Sequence, residues 1–253
     1  MKPRFFVFAG LTSALLLPST SVVAEETNHW SFDVVPYLWV AGVDVQTSLQ
    51  NPSSLPPSTS PDVARFDTRI SAGALLAAQA RYRSVGVFVD FAWLRLDSDA
   101  LHPGPAFSDV NLKSDFIHTT AALTYRLPLQ GQFHAEVLAG ARLWTISEEI
   151  SATSGVLPGF ASSGTRTWVD PVVGANLSYD FSKRWFLTTR GTVGGFGIAS
   201  DIAWEVFGGV GFRMTDWCSA TIGYRYLHED YGRDRFTFNT DIQGVVLGVG
   251  FHF

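Results

Sequence analysis

The sequence predicts an all-β protein, a transmembrane antiparallel up-and-down β-barrel of about ten strands. The first observation is composition, because 14% of the residues are aromatic and only 16% are charged, against about 25% charged in an ordinary soluble domain. The second is a long series of segments in which apolar residues alternate with small or polar ones at period two, as in strands. The third is that long polar connections alternate with tight turns, as in barrels that cross a membrane.

Residues 1–24 are predicted to be a cleaved export signal, because Lys2 and Arg4 precede the apolar run 5–17 and small residues follow it. The run is shorter than the roughly 20 apolar residues that a membrane-spanning helix needs, which disfavours a retained anchor. Residues 25–253 are then one barrel domain. Loss of the two basic residues leaves 16 basic against 23 acidic residues and moves the formal net charge from -5 to -7. This balance excludes a basic nucleic-acid-binding protein.

The first five strands are predicted where alternation is continuous. The first begins at Phe32, and Pro36 within it requires a ladder position that is free or bulged. In the fifth, one face is apolar throughout and the other is mixed. The two faces hold Phe133, Ala135, Val137, Ala139, Ala141 and Leu143, and His134, Glu136, Leu138, Gly140, Arg142 and Trp144. These five strands cover 32–41, 74–82, 87–94, 117–127 and 133–144.

The last five strands follow the same pattern. The sixth carries no charge on its apolar face, and the seventh is short and leads through Gly194–Gly197 into the eighth. That short connection also fits eight or twelve strands. These five strands cover 169–181, 188–192, 204–213, 221–227 and 243–253.

The predicted connections decide the orientation of the strands. Long polar loops are predicted at 51–62, 97–111, 147–165 and 228–234, and tight turns at 83–85, 128–131, 182–184 and 214–217. In outer-membrane barrels long loops face outward and short turns face the periplasm. Both chain ends are therefore expected on the periplasmic side.

The final strand, Gln243 to Phe253, places every second residue from Val245 to the terminal Phe253 on one apolar face. A chain that ends inside a strand leaves an exposed edge unless that edge is paired. Pairing with the first strand removes the edge and closes a barrel. The ending resembles the C-terminal aromatic signature of bacterial outer-membrane barrels, which implies that Phe251 and Phe253 are the signal read by the barrel assembly machinery.

The opposite faces of the strands predict a charged lumen. A barrel of eight to ten strands is only wide enough for its own side chains, whereas open channels have roughly 16 strands. Buried charges need partners, so we expect a paired network, with bulk added by Trp39, Phe88, Trp144 and Phe207. The network is predicted to contain Asp33, Arg81, Asp90, Arg126, Glu136, Arg142, Asp170, Arg190, Glu205, Arg213 and Arg225, with His118, His134 and His252 on the same faces.

Other polar groups give weaker indications of a binding site. The acidic stretch after the ninth strand, His228, Glu229, Asp230 and Asp234, is predicted to be an exposed loop that meets cations or lipid headgroups. His118 and His134, on neighbouring strands, are a second possible metal pair, although hydrogen-bonded core histidines are the simpler interpretation. We expect no metal and no cofactor. Aromatic girdles at headgroup level are predicted from Trp30, Trp93, Trp168, Tyr179, Phe181, Trp185, Phe212, Trp217, Phe251 and Phe253.

Several stretches together resemble a family of proteobacterial outer-membrane proteins of uncharacterised role, of the small OmpA-like or porin-like kind. They are PYLWVAGVDV at 36–45, WVDPVVGANL at 168–177, RGTVGGFGIASDIAWEVFGGVGFRM at 190–214, IGYRYLHEDY at 222–231 and the closing GVVLGVGFHF. The resemblance covers nearly the whole chain after residue 24. It implies a single β-barrel in the outer membrane, and it supplies no catalytic or binding residue to carry over.

The sequence therefore predicts an outer-membrane barrel that contacts lipid, has a plugged lumen, and serves a structural or surface-interaction role rather than an enzymatic one. An outer-membrane protease or lipid-modifying enzyme and a narrow channel are the two alternatives. An enzyme would need a nucleophile or general base held by an orienting partner. The oligomeric state does not follow from the sequence.

Overall fold

The computed structural model describes residues 29–49, 66–100, 107–233 and 236–253. Ten antiparallel strands form a closed barrel in the order β1-β10-β9-β8-β7-β6-β5-β4-β3-β2. The strands are β1 (Trp30–Leu49), β2 (Phe66–Tyr82), β3 (Val85–Ala100), β4 (Phe107–Arg126), β5 (Phe133–Ser154), β6 (Phe160–Asp180), β7 (Trp185–Gly194), β8 (Ile202–Arg213), β9 (Cys218–Arg233) and β10 (Phe236–His252). The predicted fold class and strand number are confirmed. The predicted export signal and the loop at 51–62 lie outside the described residues.

The chain ends close the barrel as expected. Phe32 and Phe253 exchange two backbone hydrogen bonds, each of 2.9 Å. The ladder between β1 and β10 is not continuous, since Val34 pairs with Phe251 and the next pair joins Tyr37 to Gly248. The interruption falls at Pro36, which has no N–H to donate to a partner strand.

The strands run further than their alternation predicted. In the predicted loop at 97–111, residues 97–100 and 107–111 are strand and 101–106 lie outside the described residues. The predicted loop at 147–165 is largely strand, because β5 and β6 pair as far as Ala152 and Phe160. The loop predicted at 228–234 is wrong as well, since residues up to Arg233 belong to β9. Beyond the residues with apolar outward side chains, both faces of these strands are polar. The alternation of polarity ends there, but backbone pairing between the strands continues.

The outer surface carries a belt of exposed apolar side chains around the barrel. On β10 this face holds Val245, Leu247 and Val249, each at least 40% exposed, while Val246 between them is 7% exposed. Exposed aromatic residues mark the end with the short turns, and they include Trp30, Tyr179, Phe181, Trp185, Trp217 and Phe253. The assignment of Trp168 to the predicted aromatic girdle is wrong, because its side chain is 5% exposed and lies in the lumen.

The connector between β7 and β8, residues 195–201, differs from the other tight turns. Gly195, Phe196 and Gly197 have positive φ angles of 82°, 50° and 71°, and a Cβ on Gly195 would lie 2.8 Å from the Ser200 carbonyl oxygen. The connector therefore curls inward and buries Ser200. Since β7 and β8 have 10 and 12 residues against 22 in β5, the wall is low on this side and the connector covers the gap.

Candidate functional site

The lumen has three layers between its two ends. The end with the short turns holds two adjoining cavities of about 210 and 270 Å3, which share Phe186, Arg190, Phe207 and His252 in their linings. The middle is a network of buried charges. The end with the long strands is a layer of tightly packed apolar and aromatic side chains.

Arg225 on β9 is the centre of the charged layer. Its guanidinium lies 2.9 Å from Asp90 on β3 and 3.1 Å from Glu205 on β8. It also donates to the Tyr37 hydroxyl at 2.8 Å, and that hydroxyl donates to Asp90 at 2.7 Å. All three ionic groups are at most 3% exposed, so each charge is compensated by contact rather than by bulk water.

Arg142 extends the network to the opposite wall. It is fully buried and donates to Glu205 and Thr192, each at 2.8 Å, and to Thr120 at 3.2 Å. Arg190 lies 3.6 Å from Asp90 and packs over the Phe88 ring at 4.0 Å. These contacts join side chains of seven strands across the lumen, namely β1, β3, β4, β5, β7, β8 and β9.

A second group of charges lines the cavity at the short-turn end. Glu136 lies 2.9 Å from Arg81 and 3.4 Å from Arg126. Asp33 lies 3.6 Å from Arg81. On the far side, Arg213 and His134 both pair with Asp180, at 2.7 and 3.3 Å. The structure therefore places all of the predicted inward charges in the lumen, in two groups plus Asp170.

The apolar layer lies on the long-strand side of the charged layer. Trp144, Trp168 and Phe238 pack on one another with ring centroids 5.7 to 6.0 Å apart. Leu227 and Ile242 fill the space beside them. His118 packs edge-on against Trp144 at 4.7 Å, whereas His134 lies near the opposite end beside Asp180, so the two histidines do not come together as the alternative of a metal pair would require.

Glu229 lies within this layer and not in an exposed loop, which corrects the prediction for the acidic stretch. It is fully buried and accepts hydrogen bonds from the indole nitrogens of Trp144 at 3.0 Å and Trp168 at 3.1 Å. His228 and Asp230 are also in β9, and His228 Nδ1 lies 2.9 Å from Asp241 on the outer face. Asp234 lies outside the described residues. The described residues hold no group of three or more His, Cys, Asp or Glu side chains arranged for a metal ion.

Ser200 joins Glu229 to Asp170. Ser200 Oγ lies 2.5 Å from Glu229 Oε1 and 2.6 Å from Asp170 Oδ2, and the Ser200 amide donates to Asp170 Oδ1 at 2.7 Å. A hydroxyl has one hydrogen and donates to one carboxylate only. The second contact therefore requires a carboxyl proton, and the cluster holds one proton beyond that of the serine.

Of the two carboxyl groups, Glu229 is the one whose surroundings favour the protonated form. The outward face of β9 is aromatic up to Tyr226 and polar from His228 onward. Glu229 follows this change, so it lies beyond the membrane-spanning part of the strand. Burial is the main reason that the pKa of Glu229 is raised to about 7, and the neighbouring Asp170 also raises it. The hydrogen bonds from Ser200 and Trp168 lower the pKa by less than this.

Sequence reasoning missed several of these residues. Tyr37 and Asp180 are inward by period two but were not singled out as part of the network. Ser200 and Trp168 were missed because one lies in a turn and the other resembles a girdle residue. Trp168 lies two residues before Asp170 on β6, and residues two apart on a strand share a face. The inward position of Asp170 therefore predicts that Trp168 faces the lumen too.

Comparison with known proteins identifies the fold. No family model and no curated protein matches the chain. The chain is similar to the crystal structure of the outer membrane protease OmpT from Escherichia coli, with 9% identity, 90% of this chain and 98% of that chain covered, and a TM-score of 0.52. This chain has the fold of an outer-membrane β-barrel.

Two further solved barrels match with lower TM-scores. The translocator domain of the autotransporter NalP from Neisseria meningitidis has 10% identity, 88% and 86% coverage of this chain and that chain, and a TM-score of 0.40. Ail, the attachment invasion locus protein of Yersinia pestis, has 14% identity, 88% and 98% coverage, and a TM-score of 0.35. At these identities the similarity of the barrel to its neighbours concerns architecture only.

Proposed function

We propose that this chain is an integral outer-membrane β-barrel whose lumen is closed to solutes and whose long-strand end serves a structural or surface-interaction role. The observation that carries the proposal is the apolar layer of Trp144, Trp168 and Phe238, stacked directly on the charged layer. A solute would have to break contacts in both layers to pass. A membrane environment is supported by the belt of exposed apolar side chains around all sides of the barrel.

The length of the strands supports a working surface outside the membrane. A membrane-spanning strand needs about 9–11 residues, whereas β4, β5 and β6 have 20, 22 and 21. On this extension Arg95 pairs with Asp115 at 2.9 Å, and Trp93 donates to the same carboxylate at 3.2 Å. Lys113 and Glu149 line the same polar depression of about 590 Å3. Such a mixed-charge surface suits a polar partner or lipid headgroups.

Conductance in planar bilayers tests the closed lumen. We expect the mature protein to give no stable unitary current, and a variant carrying Trp144→Ala, Trp168→Ala, Phe238→Ala and Arg225→Ala to conduct, because these changes remove the three large rings of the apolar layer and the centre of the charged layer. Leu123→Ala is the control, since this side chain is 66% exposed on the outer face. An ohmic current from the unmodified protein would reject the closed lumen and favour the narrow channel.

A further inference from the structure

Three polar side chains at the short-turn end form a linear hydrogen-bonded series outside the charged layer around Arg225. They come from the inward faces of the adjacent strands β9, β10 and β1. Ser219 Oγ lies 2.9 Å from His252 Nε2, and His252 Nδ1 lies 2.7 Å from Asp33 Oδ1. The two distances place an imidazole between a hydroxyl and a carboxylate, with one ring nitrogen for each.

The charges around the series fix the direction of its hydrogen bonds. Arg81 Nη2 lies 3.6 Å from Asp33 Oδ2, so the Asp33 carboxylate faces a guanidinium on the side away from His252. An ionised carboxylate only accepts hydrogen bonds, so His252 Nδ1 carries a hydrogen. In a neutral imidazole Nε2 then has a lone pair, and Ser219 donates to it. This is the tautomer in which histidine acts as a general base towards serine.

The packing leaves room for this contact and for a ligand beside it. Gly250 faces Ser219 across the ladder between β10 and β9, and a Cβ there would lie 2.8 Å from Ser219 Oγ and 3.3 Å from His252 Nε2. A side chain at position 250 would therefore disturb the alignment. Ser219 and His252 line the cavity of about 210 Å3, together with Phe186, Phe207 and Arg190.

We propose that Ser219, His252 and Asp33 form a hydrolytic site for small carboxylic esters, reached from the short-turn mouth of the barrel. Ser219 and His252 are the catalytic residues, and Asp33 is a positioning residue that orients the imidazole. The cavity is smaller than the roughly 300–1,000 Å3 of sites for drug-sized ligands, and its aromatic lining suits a short acyl group. The inference goes beyond the closed lumen and does not depend on it.

The reaction balances without a cofactor. Ser219 Oγ attacks the ester carbonyl carbon while His252 Nε2 takes the hydroxyl proton; the carbon–alkoxy oxygen bond then breaks, and His252 protonates the leaving alcohol. Water attacks the acyl-serine as His252 takes its proton, and this proton returns to Ser219 Oγ as the carboxylic acid leaves. Thr188, Thr221 and Arg190 line the same cavity and supply hydrogen-bond donors for the transient oxyanion.

Covalent labelling of the refolded full barrel tests the site directly. We expect diisopropyl fluorophosphate to modify Ser219, located by peptide mass spectrometry, and p-nitrophenyl acetate to be hydrolysed. Ser219→Ala should abolish both, and His252→Gln should lower hydrolysis at least about a hundredfold. Asp33→Asn should lower kcat with little change in KM, since it acts on the imidazole and not on the ester.

Ser178→Ala is the matched control, because this serine lines the adjoining cavity. It should retain labelling and hydrolysis. Heat-dependent migration in gel electrophoresis reports for every variant whether the barrel has formed. An unmodified protein that forms a barrel but shows no labelled Ser219, and hydrolysis no faster than Ser219→Ala, would overturn the proposal whatever the variants do.

Discussion

Individual residues show how the lumen tolerates buried charge. Each arginine of the charged layer contacts a carboxylate from a strand distant in sequence, as in Arg142 with Glu205 and Arg225 with Asp90. The sequence predicted that these residues face inward, because period two alone determines the face. It did not predict the pairs, because contacts across the lumen depend on strand order and tilt and leave no local pattern.

At the scale of single residues, Glu229 leads to a prediction about how the stability of the barrel depends on pH. Its pKa is raised to about 7 in the folded protein from an ordinary value of 4.5, so the folded state holds a proton that the unfolded chain releases between these two values. By linkage, stability is lost as the pH rises from about 4.5 towards 7, and the loss is complete above that value. We expect the barrel to unfold at lower urea concentration at pH 8 than at pH 5.

Glu229→Gln separates this effect from other titrations. The amide keeps the shape of the protonated acid and cannot ionise, so the difference in urea midpoint between pH 5 and pH 8 should shrink clearly in the variant. Asp109→Asn is the control, since this residue lies exposed on the long-strand extension. An unchanged pH dependence in Glu229→Gln would show that Glu229 is not the group that holds the proton.

At the scale of elements, strands were predictable where lipid imposes a pattern and not beyond. The outer face of β5 is apolar at Val137, Ala139 and Leu143 and then becomes polar at Ser147 and Glu149. The alternation of polarity ends there, but the ladder continues, with Ser147 opposite Thr165. Backbone pairing does not require an apolar face, and a Ser- and Gly-rich sequence therefore resembled a loop.

The connector between β7 and β8 carries the next prediction. Arg233 holds it by donating to the carbonyl oxygens of Gly197, Ile198 and Ala199. Arg233→Ala should release these carbonyls and make the segment around Phe196 susceptible to limited proteolysis, while the rest of the barrel stays resistant. Cleavage sites are read by mass spectrometry, with Arg83→Ala in another turn as the control. Resistance equal to that of the unmodified protein would show that Arg233 is not needed to hold the connector.

At the scale of the whole molecule, we expect the ring of Phe253 to serve assembly and its backbone to serve stability. Its backbone closes the barrel through two hydrogen bonds with Phe32, but its ring is 73% exposed on the outer surface. The predicted assembly signal therefore depends on a side chain that contributes little packing. The backbone seam does not depend on which side chain is present at position 253.

Phe253→Ala should accordingly leave refolding into detergent micelles almost unchanged, since the seam needs only the backbone, and should strongly reduce the amount of barrel in the outer membrane of cells. Heat-dependent migration measures the first quantity, and immunoblotting of membrane fractions measures the second.

Phe181→Ala is the matched control, because this aromatic residue is also exposed, at 47%, at the short-turn end, but lies outside the final strand. If both variants reach the membrane like the unmodified protein, the ring of Phe253 is a girdle residue; if Phe253→Ala fails to refold in vitro, its ring stabilises the seam itself.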